Sequence, residues 1–172
     1  MATTVTKALI TDFPKFKAAW EKDAGKPENT ILYYIMAALK VEDDPELADA
    51  MMTVVVTKDD TLESSNSPSG YKLRPNARYY IGQFKKNPHI ARSYVGGTPD
   101  NDYAYSKSSL KLVVTRVEDR GNDTLKIFID SGGKDLDTPV TVAKNKSGQW
   151  KLIEYSSICT GVRPPKSRER DF

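Results

Sequence analysis

The chain has 172 residues, of which 38% are hydrophobic and 28% charged, and its formal net charge is +3. This composition predicts one soluble globular domain and excludes a wholly disordered or membrane-embedded chain. The single cysteine, Cys159, and the single histidine, His89, exclude an internal disulfide and most metal centres, so we expect no metal and no cofactor. The first residues lack the basic start and apolar core of a secretory signal, so we expect a cytoplasmic protein.

The first half of the chain has the pattern of helices. Asp12 and Pro14 are typical of a helix start, and aromatic residues at three- and four-residue intervals extend this first helix to near Gly25. A second helix is predicted to open at Pro27. Its apolar run over 31–39 is too short to cross a bilayer and indicates a buried central helix.

Two more helices are predicted before residue 90. The Asp-Pro pair that begins at Asp44 favours a third helix, because aspartate caps a helix and proline fits its first turn. The end of this helix stays open, since residues 53–57 have the composition of a strand. Residues 59–76 predict a serine-rich surface loop, after which Asn76 is expected to cap a fourth helix over 77–86.

From residue 110 onward, apolar residues alternate with polar ones, which predicts strands. The four predicted strands cover 110–115, 125–130, 139–143 and 149–155. Turn sequences at 119–123 and 144–148 join neighbouring strands into an antiparallel meander. The predicted fold class is therefore α+β, with N-terminal helices packed on one face of a C-terminal antiparallel meander. We expect a single domain over 1–162 and an extended or flexible basic tail over 163–172.

Five segments of the second half form a distinctive combination: 87–103, 139–142, 148–150, 156–157 and 161–165. Together they resemble an uncharacterised bacterial family known only as a domain of unknown function. The resemblance implies a bacterial source and a soluble domain, and it carries over no catalytic residue. The order of helices and strands also resembles the nuclear-transport-factor-2-like superfamily, cone-shaped domains with a pocket between sheet and helices. That likeness concerns topology, which does not determine function.

Residues 64–99 contain no carboxylate and six lysines and arginines, a local charge of +6, while four tyrosines are interleaved with these cations. Cations beside aromatic rings are typical of anion-binding surfaces. We therefore expect a non-enzymatic domain that binds an anionic ligand or an acidic partner protein. The candidate binding residues in this stretch are Arg74, Arg78, Lys85, Arg92 and Tyr94. The competing interpretation is a solvated helix face whose charge is matched by acidic residues of the first half: Asp43, Asp44, Glu46 and Asp49.

The loop that follows supplies the remaining candidates. Its glycine pair at 96–97 lets backbone amides face an anion, and Asp100 and Asp102 could bind a cation or act as a base. The alternative function is therefore a small pocket enzyme, a hydrolase or an isomerase, in which one of these carboxylates works with a tyrosine hydroxyl such as that of Tyr103. A structural turn leading into the sheet is the simpler interpretation of the same loop.

Two further functions are disfavoured by the sequence. A nucleic-acid binder is the third candidate, but a net charge of +3 is low for such a protein. A nucleophile and base pair made of Cys159 and His89 would join residues 70 positions apart, and no thiol-protease signature surrounds the cysteine.

Overall fold

The structure is a computed structural model that describes residues 2–168. Its helices are α1 (Phe13–Asp23), α2 (Pro27–Lys40), α3 (Pro45–Val55), α4 (Pro75–Lys86) and the single-turn α5 (His89–Arg92). Its strands are β1 (Thr3–Lys7), β2 (Thr61–Glu63), β3 (Tyr71–Leu73), β4 (Leu110–Gly121), β5 (Thr124–Ile129), β6 (Thr138–Lys144) and β7 (Trp150–Glu154). Short 3₁₀ turns occupy Lys58–Asp60, Pro99–Asn101, Ser156–Cys159 and Lys166–Arg168.

The predicted starts of the first three helices are confirmed. The side chain of Asp12 accepts a hydrogen bond from the Lys15 amide, and the side chain of Asp44 accepts one from the Leu47 amide, so each aspartate satisfies a free amide at a helix end. Helix α2 is buried from residue 29 to residue 39, as expected of a central helix. The end of α3, which the sequence left undecided, lies at Val55.

The serine-rich segment and the start of α4 differ from the prediction. Residues 59–76, predicted as a loop throughout, contain the small β2–β3 hairpin in addition to loop residues. Helix α4 begins at Pro75 with Arg74 in the capping position, so the prediction that Asn76 caps the helix is wrong. Asn76 lies in the first turn, where its side-chain amide nitrogen donates a hydrogen bond to the Asp60 carboxylate. Proline at the first helical position explains the earlier start, because it lacks the amide that would otherwise need a partner.

The large sheet has five antiparallel strands in the order β1-β4-β5-β6-β7, and the helices pack on one of its faces. The predicted meander is β4 to β7. Sequence analysis missed β1, which pairs with the start of β4 so that Val5 faces Leu112. The core lies between the sheet and α2, where inward-facing residues such as Ile129, Val140 and Leu152 are fully buried. The α+β fold class is confirmed.

The described part of the predicted tail lies against the loop after α5. Pro165 is buried, and the hydroxyl of Ser167 donates to Asp102 over 2.7 Å. Residues 169–172, which also belong to the predicted tail, lie outside the described residues.

Candidate functional site

Arg78 forms ion pairs with two carboxylates of the same chain. One guanidinium nitrogen lies 2.7 Å from Asp49 and another lies 2.7 Å from Glu46. The Asp49 carboxylate is buried and also accepts a hydrogen bond from the Leu73 amide at 3.0 Å. Arg78 therefore joins α4 to α3, and its charge is matched internally by two of the four carboxylates that the sequence offered for this purpose.

Arg92 is matched by a carboxylate that sequence reasoning did not name. Its Nε and Nη2 donate to the two oxygens of Glu42 at 3.2 and 2.6 Å, and the guanidinium lies over the ring of Tyr105. Such a two-pronged pair fixes the arginine side chain as well as neutralising it. Lys85 contacts the same residue differently, because its ammonium donates to the backbone carbonyl of Glu42, a neutral group that does not compensate its charge.

Tyr94 is part of the core and not of a surface. The side chain is 2% exposed, and its hydroxyl donates to the Ile158 carbonyl at 2.8 Å. The same hydroxyl accepts a hydrogen bond from Lys134 at 2.7 Å. Burial raises the pKa of Tyr94 well above its usual value. The hydroxyl therefore stays protonated and serves as a fixed structural link.

The two carboxylates and the tyrosine of the following loop contact the C-terminal segment. Asp100 pairs with Lys166 at 2.9 Å, and Asp102 accepts the hydrogen bond from Ser167. Tyr103 is fully buried and its hydroxyl donates to the Arg163 carbonyl. A cavity of about 280 Å³ is lined by Tyr103 but by neither Asp100 nor Asp102. The geometry thus favours a structural loop over an acid and base pair.

Three glycines explain how closely this loop packs. A Cβ atom at Gly132 would lie 2.2 Å from the Gly97 carbonyl oxygen, and one at Gly133 would lie 2.4 Å from the Tyr103 hydroxyl oxygen. A Cβ atom at Gly97 would itself lie 2.8 Å from the Arg92 carbonyl oxygen. Only glycine permits such backbone contact. Three segments, 87–103, 131–133 and 161–165, therefore meet in one closely packed region.

Lys134 is a residue that the sequence analysis missed. Its ammonium donates to Tyr94, to the Ser157 carbonyl at 3.0 Å and to the Thr160 hydroxyl at 2.7 Å. Burial without a carboxylate partner lowers the pKa of Lys134 to about 8. Its position in a glycine-rich turn gave no signal in the sequence.

His89 and Cys159 each contact a different part of the protein. The histidine ring stacks on the ring of Tyr103 with 4.7 Å between centroids, while the buried thiol of Cys159 donates to the Ser156 carbonyl. Burial raises the pKa of the thiol, which keeps it protonated and unreactive. These contacts support the structural interpretation of both residues.

The outer face of α4 carries the exposed part of the basic stretch. An open groove of about 620 Å³ runs along this face, and we call it the α4 groove. Its lining residues are Pro45, Pro75, Arg78, Tyr79, Ile81, Gly82, Gln83, Lys85 and Lys86. Tyr79 is 62% exposed, and Gly82 lies one helical turn further along. A Cβ atom at Gly82 would meet nothing within 4 Å.

Neither a membrane-spanning helix nor a metal-binding cluster is found among residues 2–168. In that range, no helix is both long enough and apolar enough to span a bilayer. No three histidine, cysteine or carboxylate side chains within those same residues meet in an arrangement that could hold a metal ion.

Comparison with known proteins places the chain in a family. No curated protein and no solved structure matches it. A family model described as domain of unknown function DUF6935 matches residues 8–166, which is nearly the whole chain. The expected relation to an uncharacterised domain family is confirmed, while the nuclear-transport-factor-2-like topology stays a prediction. The chain belongs to the family of the domain of unknown function DUF6935.

Proposed function

We propose that this protein is a non-enzymatic binding domain whose α4 groove receives an acidic segment of a partner protein. The observation that carries the proposal is Gly82, a glycine in the middle of an exposed helix face beside an exposed tyrosine. It supports the binding function that the sequence suggested, and it narrows the candidate surface from the basic stretch of residues 64–99 and the loop that follows to the α4 groove.

Gly82 is costly to the helix and has no packing role. Glycine in a helix interior is about 1 kcal/mol less favourable than alanine. The space around its Cα is open, and its φ lies outside the left-handed range that favours glycine. A residue that breaks a local structural rule without a compensating contact is a feature expected of functional sites. The missing side chain leaves a notch in the groove.

The groove offers an aromatic anchor and uncompensated cations. Tyr79 presents a large ring and a hydroxyl, a combination enriched at interaction hot spots. Lys86 forms no ion pair within the described residues, and the ammonium of Lys85 bonds only to a carbonyl. None of the groove-lining residues is a carboxylate. Charge complementarity therefore favours an acidic occupant.

A protein segment fits this surface better than nucleic acid. Lys85 and Lys86 lie in the last turn of a single 12-residue helix, whereas a nucleic-acid site needs cations along a longer backbone track with several stacking faces. The notch beside Tyr79 suits one apolar side chain among acidic ones. Arg78 and Arg92, which the sequence suggested as ligand contacts, are assigned structural roles in this proposal.

The test is a selection of random peptides displayed on phage against the full chain. We expect the selected peptides to be enriched in aspartate and glutamate around an apolar residue. Their affinity for the double variant Lys85→Glu/Lys86→Glu should fall at least about tenfold, because two attractive charges become repulsive. Fluorescence anisotropy with a labelled selected peptide measures this change.

The matched control is the double variant Lys15→Glu/Lys17→Glu on α1, which alters the net charge equally at two exposed positions outside the groove. This variant should change the affinity less than about threefold, a residual long-range effect of net charge. Equal losses in both double variants, or selected peptides without acidic enrichment, would contradict the proposal.

A further inference from the structure

A second cationic pocket shares no lining residue with the α4 groove. Four lysines, Lys58, Lys144, Lys146 and Lys151, line an open cavity of about 410 Å³, and we call it the lysine pocket. Lys58 is 86 positions from its nearest partner in sequence, so only the fold brings the four together. No residue that lines this pocket is acidic.

The backbone around the lysine pocket is held firmly. The side-chain oxygen of Asn145 accepts hydrogen bonds from the amides of Ser147 and Gln149, at 3.0 and 2.9 Å, and thereby fixes the turn between β6 and β7. The segment that carries Lys58 is tied to β7, because the Thr57 amide donates to the Leu152 carbonyl at 2.9 Å. Such fixed positions reduce the ordering cost of binding a ligand.

The lysine ammonium groups are poorly compensated. Lys58, Lys146 and Lys151 form no ion pair within the described residues, and the Asp123 carboxylate that pairs with Lys144 is 3.5 Å away and 67% exposed. The ammonium of Lys151 lies over the ring of Trp20, and burial and the nearby Lys58 lower its pKa. Cations held this close repel one another, and an anion among them relieves that repulsion.

From this juxtaposition, we infer that the lysine pocket binds a compact polyphosphate group, either as a free polyphosphate or as the phosphate chain of a small metabolite. The cavity volume lies within the range typical of small-molecule sites. Four lysines and one exposed carboxylate give a local charge of about +3, which suits a ligand with several negative charges. Ala143 and Ile153 supply an apolar wall that an attached organic group would contact.

The inference is tested by isothermal titration calorimetry of the full chain with sodium tripolyphosphate at low salt and without divalent metals. We expect one bound ligand per chain. The double variant Lys58→Gln/Lys146→Gln should bind about tenfold more weakly, since each exposed charge contributes about threefold. This variant keeps Lys144 and Lys151, which lie over tryptophan rings. Both substituted positions are exposed, so the fold is retained.

The control is Lys15→Gln/Lys17→Gln, which removes the same charge elsewhere and should leave the affinity within about twofold. A parallel titration with adenosine triphosphate separates the two ligand sources: tighter binding than tripolyphosphate indicates a metabolite, and equal binding indicates the free anion. No binding of either compound at millimolar concentration overturns the inference. Equal weakening in the variant and the control overturns it as well, because it would show a response to net charge alone.

Discussion

Two glycines of this chain are expected to respond in opposite ways to the same substitution. Gly82 lies in open space, so Gly82→Ala should stabilise the protein by about 0.5 to 1 kcal/mol. A Cβ atom at Gly132 would collide with the Gly97 carbonyl, so Gly132→Ala should destabilise the protein by about 3 kcal/mol. Urea unfolding of both variants measures the two changes. A loss of stability in Gly82→Ala would show that this glycine has a packing role after all.

Lys134 gives the protein a distinct pH dependence. Its pKa is about 8 in the folded chain against 10.5 for an unperturbed lysine, so the unfolded chain binds more protons between these values. The contribution of Lys134 to the free energy of unfolding is therefore constant below about pH 8 and rises above it. Allowing for the exposed part of the side chain, the gain is about 1 to 2 kcal/mol.

Chemical denaturation of the wild type and of Lys134→Met, at about pH 7 and about pH 9.5, measures this effect on either side of the folded pKa. The wild type should gain stability relative to the variant at the higher pH. A difference that stays constant would mean that the ammonium is protonated throughout. A relative loss would mean that Lys134 has a carboxylate partner in solution.

The ion pairs of individual residues could be predicted from the sequence only in part. The sequence suggested that acidic residues of the first half match the basic stretch, and Glu46 and Asp49 do so for Arg78. The partner of Arg92 was not foreseen, because Glu42 lies 50 positions away and only the packing of α5 against α2 brings them together. Pairings over such distances depend on tertiary structure and leave no local pattern.

At the scale of elements, Asp49 is the junction of α3, β3 and α4. Its buried carboxylate accepts hydrogen bonds from the Leu73 amide and from Arg78. Asp49→Ala should cost about 3 kcal/mol, because the Leu73 amide loses its acceptor and Arg78 loses the buried one of its two carboxylate partners. Glu46→Ala removes the exposed partner of the same arginine and should cost less than about 0.5 kcal/mol. Unfolding in guanidinium chloride measures the loss of stability in each variant. Similar losses in Asp49→Ala and Glu46→Ala would contradict this role for Asp49.

Elements with strong local signals were the ones that sequence predicted. The capped helices and the alternating strands of the meander have such signals. Strand β1 has five residues, three of them threonine, and lies at an edge of the sheet. Its single apolar residue, a valine, is too little to form an alternating pattern. The β2–β3 hairpin has three residues in each strand, too few for a pattern. Both pairings depend on partners that are distant in the chain or on turn geometry.

At the scale of the whole molecule, segments from the helical half of the chain cover one edge of the large sheet. The β7 edge is covered, because the Thr57 amide bonds to Leu152 and the Trp150 amide bonds to the Ala24 carbonyl. These contacts come from the ends of α3 and α1, and they position Lys58 beside the β6–β7 turn. The α4 groove lies outside this arrangement. The fold thus presents two separate cationic surfaces whose lining residues do not overlap.

The site could be predicted from sequence only as a region. The carboxylate-free stretch includes the helix to which we assign the proposed groove, but it could not show which cations lack an ion-pair partner, because that depends on where each carboxylate folds. The sequence could not predict the notch at Gly82, because the notch depends on the open space around this residue in the folded structure. The lysine pocket was beyond sequence reasoning, since its members come from two distant segments.

The most direct test of the proposed function is amide chemical-shift mapping of the isotope-labelled full chain during titration with an acidic peptide from the selection. We predict shifts concentrated in Pro75–Lys86 and around Pro45, and their disappearance in Gly82→Leu, whose side chain fills the notch without disturbing the core. Shifts centred elsewhere on the protein would show that the α4 groove is not the binding surface, and unchanged shifts in Gly82→Leu would contradict the role of the notch that carries the proposal.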